Sequence, residues 1–231
     1  MNDRITIGGQ DGAFAAYIAR PSELPAPGVV VLQEVFGVNA DIREHCDKLA
    51  KLGFVAVAPD LFWRQEPCVD LDVRSEDDWQ HGLRLYQAYD RDVGVSDIAS
   101  TIKATSALPE CTGKVAVLGY CLGGLMGFLT AARSKVDAVV AYHGGDTEKY
   151  LGEADGIHAP MIMHLAEEDE FISKPAQAAI KAALAGKPDV EIYSYPGQRH
   201  AFSRYNGAHY DATAATLATG RTEDFLNREL R

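Results

Sequence analysis

The stretch VLGYCLGGL, residues 117–125, decides the fold class. An apolar run ends at Tyr120, Cys121 stands in a Gly-x-Cys-x-Gly turn, and small and apolar residues that can begin a helix follow. A sharp turn from strand to helix around a reactive residue is typical of a nucleophile elbow, where a serine usually stands. The motif alone is a modest signal, because a cysteine at such a place can also be a packing residue.

Apolar runs that predict buried strands alternate with helical patterns on both sides of this turn. These runs are apolar throughout rather than at every second residue, which is typical of a parallel sheet covered on both faces. The sequence therefore predicts an α/β fold, with a mostly parallel central sheet and helices on both faces. The predicted strands are 26–34, 54–60, 113–120, 136–144, 159–169 and 189–197; the predicted helices are 40–52, 78–107, 122–134, 174–186 and 211–229, with loops or a lid at 61–80.

Length and composition favour one domain over residues 1–231. The chain has 231 residues, of which 47% are hydrophobic, so it can bury a full core. No linker, repeat or low-complexity segment divides it. A net charge of −11 argues against nucleic acid and anionic membranes as partners. We therefore expect a small-molecule substrate, with a monomer as the default.

The first residues, the lengths of the apolar runs and the cysteine spacing indicate in which cellular compartment the protein is found. The first ten residues, MNDRITIGGQ, are too polar for a signal peptide, and no apolar run approaches the roughly 20 residues that span a bilayer. The four cysteines include no CxxC pair, so a disulfide framework is not expected. The prediction is a soluble, cytoplasmic protein.

Polar side chains stand where the predicted strands end. Glu34, Cys121, Asp169 and His200 each end or follow a different strand. In open parallel sheets, functional groups gather beyond the carboxyl ends of the strands. A nucleophile, then an acid, then a histidine is also the chain order of α/β-hydrolases. The sequence therefore predicts the α/β-hydrolase fold with a catalytic triad.

The chemistry of these residue types assigns their roles. Cys121 attacks a carbonyl carbon, and the dipole of the following helix favours its thiolate. His200 takes the thiol proton and returns one to the leaving group, while Asp169 orients the imidazole. The N–H groups of Leu122 and Val35 are the predicted oxyanion hole. Three acidic neighbours of Asp169 are alternatives for its role: Glu167, Glu168 and Glu170.

For the other histidines, structural roles are considered first. His164 lies inside an apolar strand and is interpreted as a hydrogen-bonded core residue. His143 ends a strand beside the elbow, and both packing and a place in the pocket remain open. No cluster with metal-ligand spacing and no nucleotide motif is present, so neither a metal nor another cofactor is predicted.

These residues resemble the dienelactone hydrolase (carboxymethylenebutenolidase) family along nearly the whole chain. The resemblance rests on VVVLQEVFGVN, GYCLGG, EEDEFI, HAFSR and TLATGRTEDFLN. It implies an enzyme without a cofactor that opens the lactone ring of dienelactone to maleylacetate in aromatic catabolism. It also implies that Cys121, Asp169 and His200 form the triad, and that Glu34 is an extra carboxylate.

The resemblance further implies substrate-binding residues. Arg204, in HAFSR, corresponds to an arginine that clamps the substrate carboxylate, a task suited to its bidentate geometry. Trp79 stands where the family has a second such arginine, and Arg64 is a candidate to reach the pocket from its loop. Phe36, which follows Val35, completes the predicted substrate-binding set of Arg204, Trp79 and Phe36.

Three functions follow from this interpretation. The first is hydrolysis of dienelactone through a thioacyl intermediate on Cys121. The second is a carboxylesterase or lactonase of the same mechanism with a different small ester. The third is a non-catalytic redox sensor that uses the thiol. In line with the resemblance, we also predict that Cys121 rests as a thiol against Glu34 until an anionic substrate draws Glu34 away.

Overall fold

The computed structural model describes residues 3–231. Their eight strands form one sheet. The order across the sheet is β1-β2-β4-β3-β5-β6-β7-β8, and all neighbours from β4 to β8 run parallel. The predicted α/β fold with a mostly parallel sheet is confirmed. The strands are β1 Arg4–Gly8, β2 Ala13–Ala19, β3 Ala26–Leu32, β4 Val55–Pro59, β5 Cys111–Tyr120, β6 Ala138–Tyr142, β7 Met161–Ala166 and β8 Val190–Tyr195.

Helices cover both faces of the sheet because the buried strands are apolar on both sides. In β3, Val30 and Leu32 belong to the core on one face, whereas Val29 and Val31 belong to the core on the other. The first face is covered by α2, α3, α4 and α5, and the second by α1 and α6. The helices are α1 Ala40–Lys51, α2 Glu76–Ala88, α3 Arg91–Ser106, α4 Leu122–Arg133, α5 Lys174–Leu184 and α6 Ala212–Leu230.

The sequence pattern missed an antiparallel hairpin at the amino-terminal edge. Strand β1 pairs with β2, and β2 pairs antiparallel with β4. Phe14, Ala16 and Ile18 are buried at every second position of β2, so the strand does alternate. The alternation was masked because the partly exposed positions between them hold Ala15 and Tyr17, which contrast little with their buried neighbours. A 3₁₀ segment, Thr147–Gly156, was also not predicted.

Local signals set the ends of the helices that frame the site. The Asn39 side chain accepts a hydrogen bond from the Ile42 amide and so caps α1. Ser75 caps α2, so the helix begins inside the region predicted as loops or a lid. Among residues 3–231, no helix has both the length and the apolar character that a membrane crossing requires.

Candidate active site

Cys121 lies between β5 and α4 with an uncommon backbone conformation. Its φ is 53° and its ψ is −113°, a positive φ that non-glycine residues seldom adopt. The turn is held because the Cys121 amide donates to the Tyr142 carbonyl over 3.1 Å. A Cβ at Gly119 would collide with the Gly123 carbonyl, so the crossing of strand and helix requires glycine there. This is the geometry of the predicted elbow.

His200 meets Asp169 at the carboxyl ends of β7 and β8. The His200 Nδ1 atom lies 2.9 Å and 3.0 Å from the two carboxylate oxygens of Asp169. Burial acts to lower the pKa of His200, but the negative charge of Cys121 and the hydrogen bond to Asp169 outweigh it and raise the pKa to about 10. The imidazole is therefore held as a cation beside the elbow.

The structure separates Asp169 from its acidic neighbours. Glu170 accepts the backbone amide of His200 over 3.1 Å and pairs with Arg199 at the surface. Glu168 pairs with Lys174, and Glu167 accepts the Gly197 amide. Of the four acidic residues in the turn, Asp169 is therefore the one that contacts the His200 ring.

Three chemically active side chains converge at this point. A carboxylate oxygen of Glu34, the sulfur of Cys121 and a ring nitrogen of His200 lie within 4.8 Å of one another. Among residues 3–231, the buried His200 Nε2 atom has no hydrogen-bond partner. It is the ring nitrogen that Asp169 does not engage, so it is available for proton transfer to or from a neighbouring group.

Glu34 is paired with Arg204 rather than with the cysteine. Arg204 donates from Nε and Nη2 to the two oxygens of Glu34, each over 2.7 Å. Burial acts to raise the pKa of Glu34, but the Arg204 guanidinium lowers it below the usual value. The predicted contact between Glu34 and the Cys121 thiol is not among the hydrogen bonds of residues 3–231. The structure thus differs from the predicted resting state, because Arg204 satisfies the buried carboxylate.

The two backbone amides predicted as the oxyanion hole belong to Leu122 and Val35. Leu122 is the first residue of α4, and Val35 lies in the loop after β3. The Gly123 amide donates to the Gln33 carbonyl over 3.0 Å, which ties that loop to the start of α4. Within the described part of the chain, the Leu122 and Val35 amides have no backbone acceptor. The two amides therefore remain the predicted oxyanion donors.

An apolar cavity of about 130 Å³ opens beside Cys121 and His200. Trp79, one of the predicted substrate-binding residues, lines it. The sequence reasoning missed Phe171, whose ring lies 4.8 Å from the His200 ring, although it stands two residues after Asp169. The other lining residues are Val35, Leu83, Tyr86, Gly145 and Asp146.

The remaining predicted substrate-binding residues lie on the far side of Trp79. The Phe36 ring is buried, with the Trp79 ring centroid at 5.6 Å and the Arg204 guanidinium carbon at 5.1 Å, so it supports both. Arg204 lines a second groove rather than the apolar cavity. Arg64 does not reach the site, because it pairs with Asp97 and with Asp11.

With this geometry in view, comparisons with known proteins identify the family. The family model described as "Dienelactone hydrolase family" matches residues 14–230. The chain belongs to the dienelactone hydrolase family. It is 41% identical to a putative carboxymethylenebutenolidase of Azospirillum brasilense, with all of both chains covered. It is 37% identical to a carboxymethylenebutenolidase of Pseudomonas putida, covering 98% of this chain and 96% of that one.

A solved structure agrees with the fold. A putative dienelactone hydrolase from Klebsiella pneumoniae superimposes with a TM-score of 0.87 at 26% identity, over 97% of each chain. The predicted resemblance and the α/β-hydrolase fold are thereby confirmed. This dienelactone hydrolase family member is accordingly a hydrolase of ester or lactone bonds.

His143 is a buried neighbour of the site whose position the sequence left open. Its ring packs edge to face on His200 with centroids 4.5 Å apart. Burial, with the nearby charge of His200, holds its pKa well below the usual range. Within residues 3–231, neither of its ring nitrogens has a hydrogen-bond partner. His143 is therefore a neutral ring that packs against His200.

The same donors that converge at the site are of the types that bind zinc. Thiolate, imidazole and carboxylate ligands suit that ion. In this family member, however, Glu34 is already engaged by Arg204, and the ring of His200 is fixed by Asp169. Because Glu34 and His200 already have protein partners, no metal role is assigned.

Proposed function

We propose that this protein is a cysteine-dependent hydrolase that opens a lactone or small ester through a thioacyl intermediate on Cys121. Its expected substrate is dienelactone, which would yield maleylacetate. The observation that carries the proposal is a cysteine at the elbow beside a buried His200 whose other nitrogen is bound to Asp169. The carboxymethylenebutenolidase names of its relatives support the choice of substrate.

In the first half-reaction, the Cys121 thiolate attacks the carbonyl carbon of the substrate. The developing oxyanion accepts hydrogen bonds from the Leu122 and Val35 amides. His200 then donates its Nε2 proton to the leaving oxygen, so that the carbon–oxygen bond breaks and a thioester remains. Asp169 keeps Nδ1 engaged throughout, which directs Nε2 toward the reacting atoms.

In the second half-reaction, water replaces the leaving group. Neutral His200 takes a proton from the water through Nε2, and the resulting hydroxide attacks the thioester carbonyl. The same two amides bind the oxyanion, and the carbon–sulfur bond breaks to release the acid and the Cys121 thiolate. The site then returns to its starting charge, because His200 again holds two protons.

The second candidate is a hydrolase of the same mechanism that acts on a neutral ester. Trp79 makes the wall of the cavity apolar. Arg204 is in the groove beyond that wall, with its charge compensated by Glu34. A substrate carboxylate would have to share that guanidinium with Glu34. Steady-state kinetics of Arg204→Ala separates the two candidates: a rise in KM confined to carboxylate-bearing lactones supports dienelactone, and equal effects on neutral esters support the second candidate.

The direct test of the proposal is Cys121→Ala, assayed on dienelactone and on p-nitrophenyl acetate. Removal of the nucleophile should lower kcat/KM for both by at least about 10³-fold, since the oxyanion donors alone give weak catalysis. Cys68→Ala is the matched control, because Cys68 is an exposed free cysteine in the loop before α2. Hydrolysis by Cys121→Ala at the rate of the unaltered enzyme would reject the proposal.

A further inference from the structure

A second groove of about 210 Å³ lies beside the active site and is separated from the apolar cavity by an aromatic wall. Trp79 and Phe171 line both spaces, with ring centroids 6.0 Å apart. His200 also lines both, whereas Cys121 and Val35 line only the cavity. The groove is partly exposed, and its apolar lining also includes Val73, Ala201, Gly207 and Ala208.

The residues that line the cavity and the groove indicate where each part of a bound ester would lie. The acyl carbonyl must lie against Cys121 and the Val35 amide, so the acyl group occupies the apolar cavity. The leaving oxygen must lie against His200, which gives it a proton. Whatever is bonded to that oxygen extends away from Cys121 on the His200 side. The groove is the space there that His200 lines and Cys121 does not.

We propose that this groove is a leaving-group subsite that accepts the alcohol part of open-chain esters, in particular flat aromatic alcohols. The inference rests on the proposed function and adds a substrate class to it. Trp79 and Phe171 offer ring faces and edges on which an aryl group packs. The groove, of about 210 Å³ and lined also by Gly207 and Ala208, is larger than a carboxylate held by Arg204 would occupy.

The polar residues of the groove limit the charge of its occupant. Arg204 is compensated by Glu34, His200 by Asp169, and Glu170 by Arg199, with His209 3.6 Å from Glu170. The charges that face the groove thus cancel in pairs. A neutral aryl group can bury its surface here without leaving a charge unpaired, so the subsite favours neutral aromatic alcohols over charged ones.

The test compares esters that share one acyl group. Phenyl acetate and 2-naphthyl acetate form the same acetyl-enzyme but carry leaving groups of different size. In the unaltered enzyme we expect a higher kcat/KM for the naphthyl ester, since its second ring is buried in the groove. Ala208→Trp fills the groove from an exposed loop position and should lower the ratio of naphthyl to phenyl kcat/KM about tenfold.

The control is Ala183→Trp, which adds the same side chain at an exposed position of α5. Its ratio should match that of the unaltered enzyme. Deacylation is common to both esters, so where it limits kcat the change in Ala208→Trp should lie in KM. An unchanged ratio in Ala208→Trp would overturn the subsite, even with the Cys121 mechanism intact. Full activity of Cys121→Ala would instead reject the mechanism while leaving the ratio test valid.

Discussion

His200 and His164 are both buried at the carboxyl ends of the sheet, with exposed fractions of 4% and 0%, yet their charges differ. The two ring nitrogens of His164 have hydroxyl groups as their hydrogen-bond partners: Nδ1 lies 2.7 Å from the Tyr195 hydroxyl and Nε2 lies 3.1 Å from the Thr222 hydroxyl. Burial, with the charge of Arg221, lowers its pKa to about 3. The pKa of His200 is raised to about 10.

Burial alone therefore does not make a histidine catalytic. Burial disfavours the charged ring at both positions, and only His200 has the negative charge of Cys121 and the Asp169 carboxylate beside it to reverse that effect. His164 instead lies in an aromatic ladder across β5 to β8, in register with Tyr120, Tyr142 and Tyr193. Its ring stacks on Tyr142 with centroids 4.1 Å apart. One histidine is arranged for proton transfer and the other for packing.

The largest expected effect comes from making His200 resemble His164. Asp169→Asn leaves the ring buried but removes the carboxylate, so the cationic form of His200 loses its main fixed partner. We expect kcat/KM to fall about 10³- to 10⁴-fold, as in triads whose acid becomes an amide. Steady-state assays on p-nitrophenyl acetate measure it. Glu170→Gln is the control and should stay within about tenfold, because Glu170 contacts the His200 backbone and not its ring.

A second, smaller effect should appear in the pH dependence of stability. The folded pKa of His200 lies above its usual 6.5, so its contribution is complete below pH 6.5 and is lost as the pH rises toward about 10. The difference in the free energy of unfolding between the unaltered protein and His200→Gln should shrink across that window, as measured by urea unfolding. For His164→Gln the difference should stay flat, because the pKa of His164 is lowered and the ring is neutral at every pH in the window. If the difference in the free energy of unfolding changed with pH by the same amount for both variants, the two histidines would not differ in charge as described.

The smallest expected effect concerns the ladder. His164→Leu removes the partner of the Tyr195 and Thr222 hydroxyl groups and should lower the free energy of unfolding by roughly 2 kcal/mol. Urea unfolding at neutral pH measures it. Because His164 touches none of the reacting groups, kcat/KM should change less than about threefold. His158→Leu, at an exposed position, should leave both quantities unchanged. A loss of activity without a loss of stability in His164→Leu would assign His164 to the reaction.

The sequence was sufficient where local chemistry and topology agree. The elbow at Cys121 could be predicted because its glycines and apolar flanks lie within nine residues, 117–125. The convergence of Asp169 and His200 with it could be predicted because parallel strands place their carboxyl ends together. The strand β2 escaped detection because a half-exposed strand rich in alanine carries little periodic contrast.

Other features depend on contacts between residues far apart in the chain. The choice of Asp169 over Glu170 rests on which carboxylate faces a ring 31 positions away. The pairing of Glu34 with Arg204 joins residues 170 positions apart, and nothing in either local sequence specifies that partner. The division of the site into a cavity and a groove arises where α2 brings Trp79 against Phe171, which no periodicity encodes.

The central claim is that Cys121 carries the acyl group during turnover, and acid quenching of the enzyme with phenyl acetate tests it most directly. Intact-mass and peptide analysis within the first turnovers should find one acetyl group on the peptide that contains Cys121, and the adduct should be cleaved by hydroxylamine as a thioester is. The adduct should disappear in Cys121→Ala. Turnover with no acetyl group on Cys121, or with the group on another residue, would contradict the account.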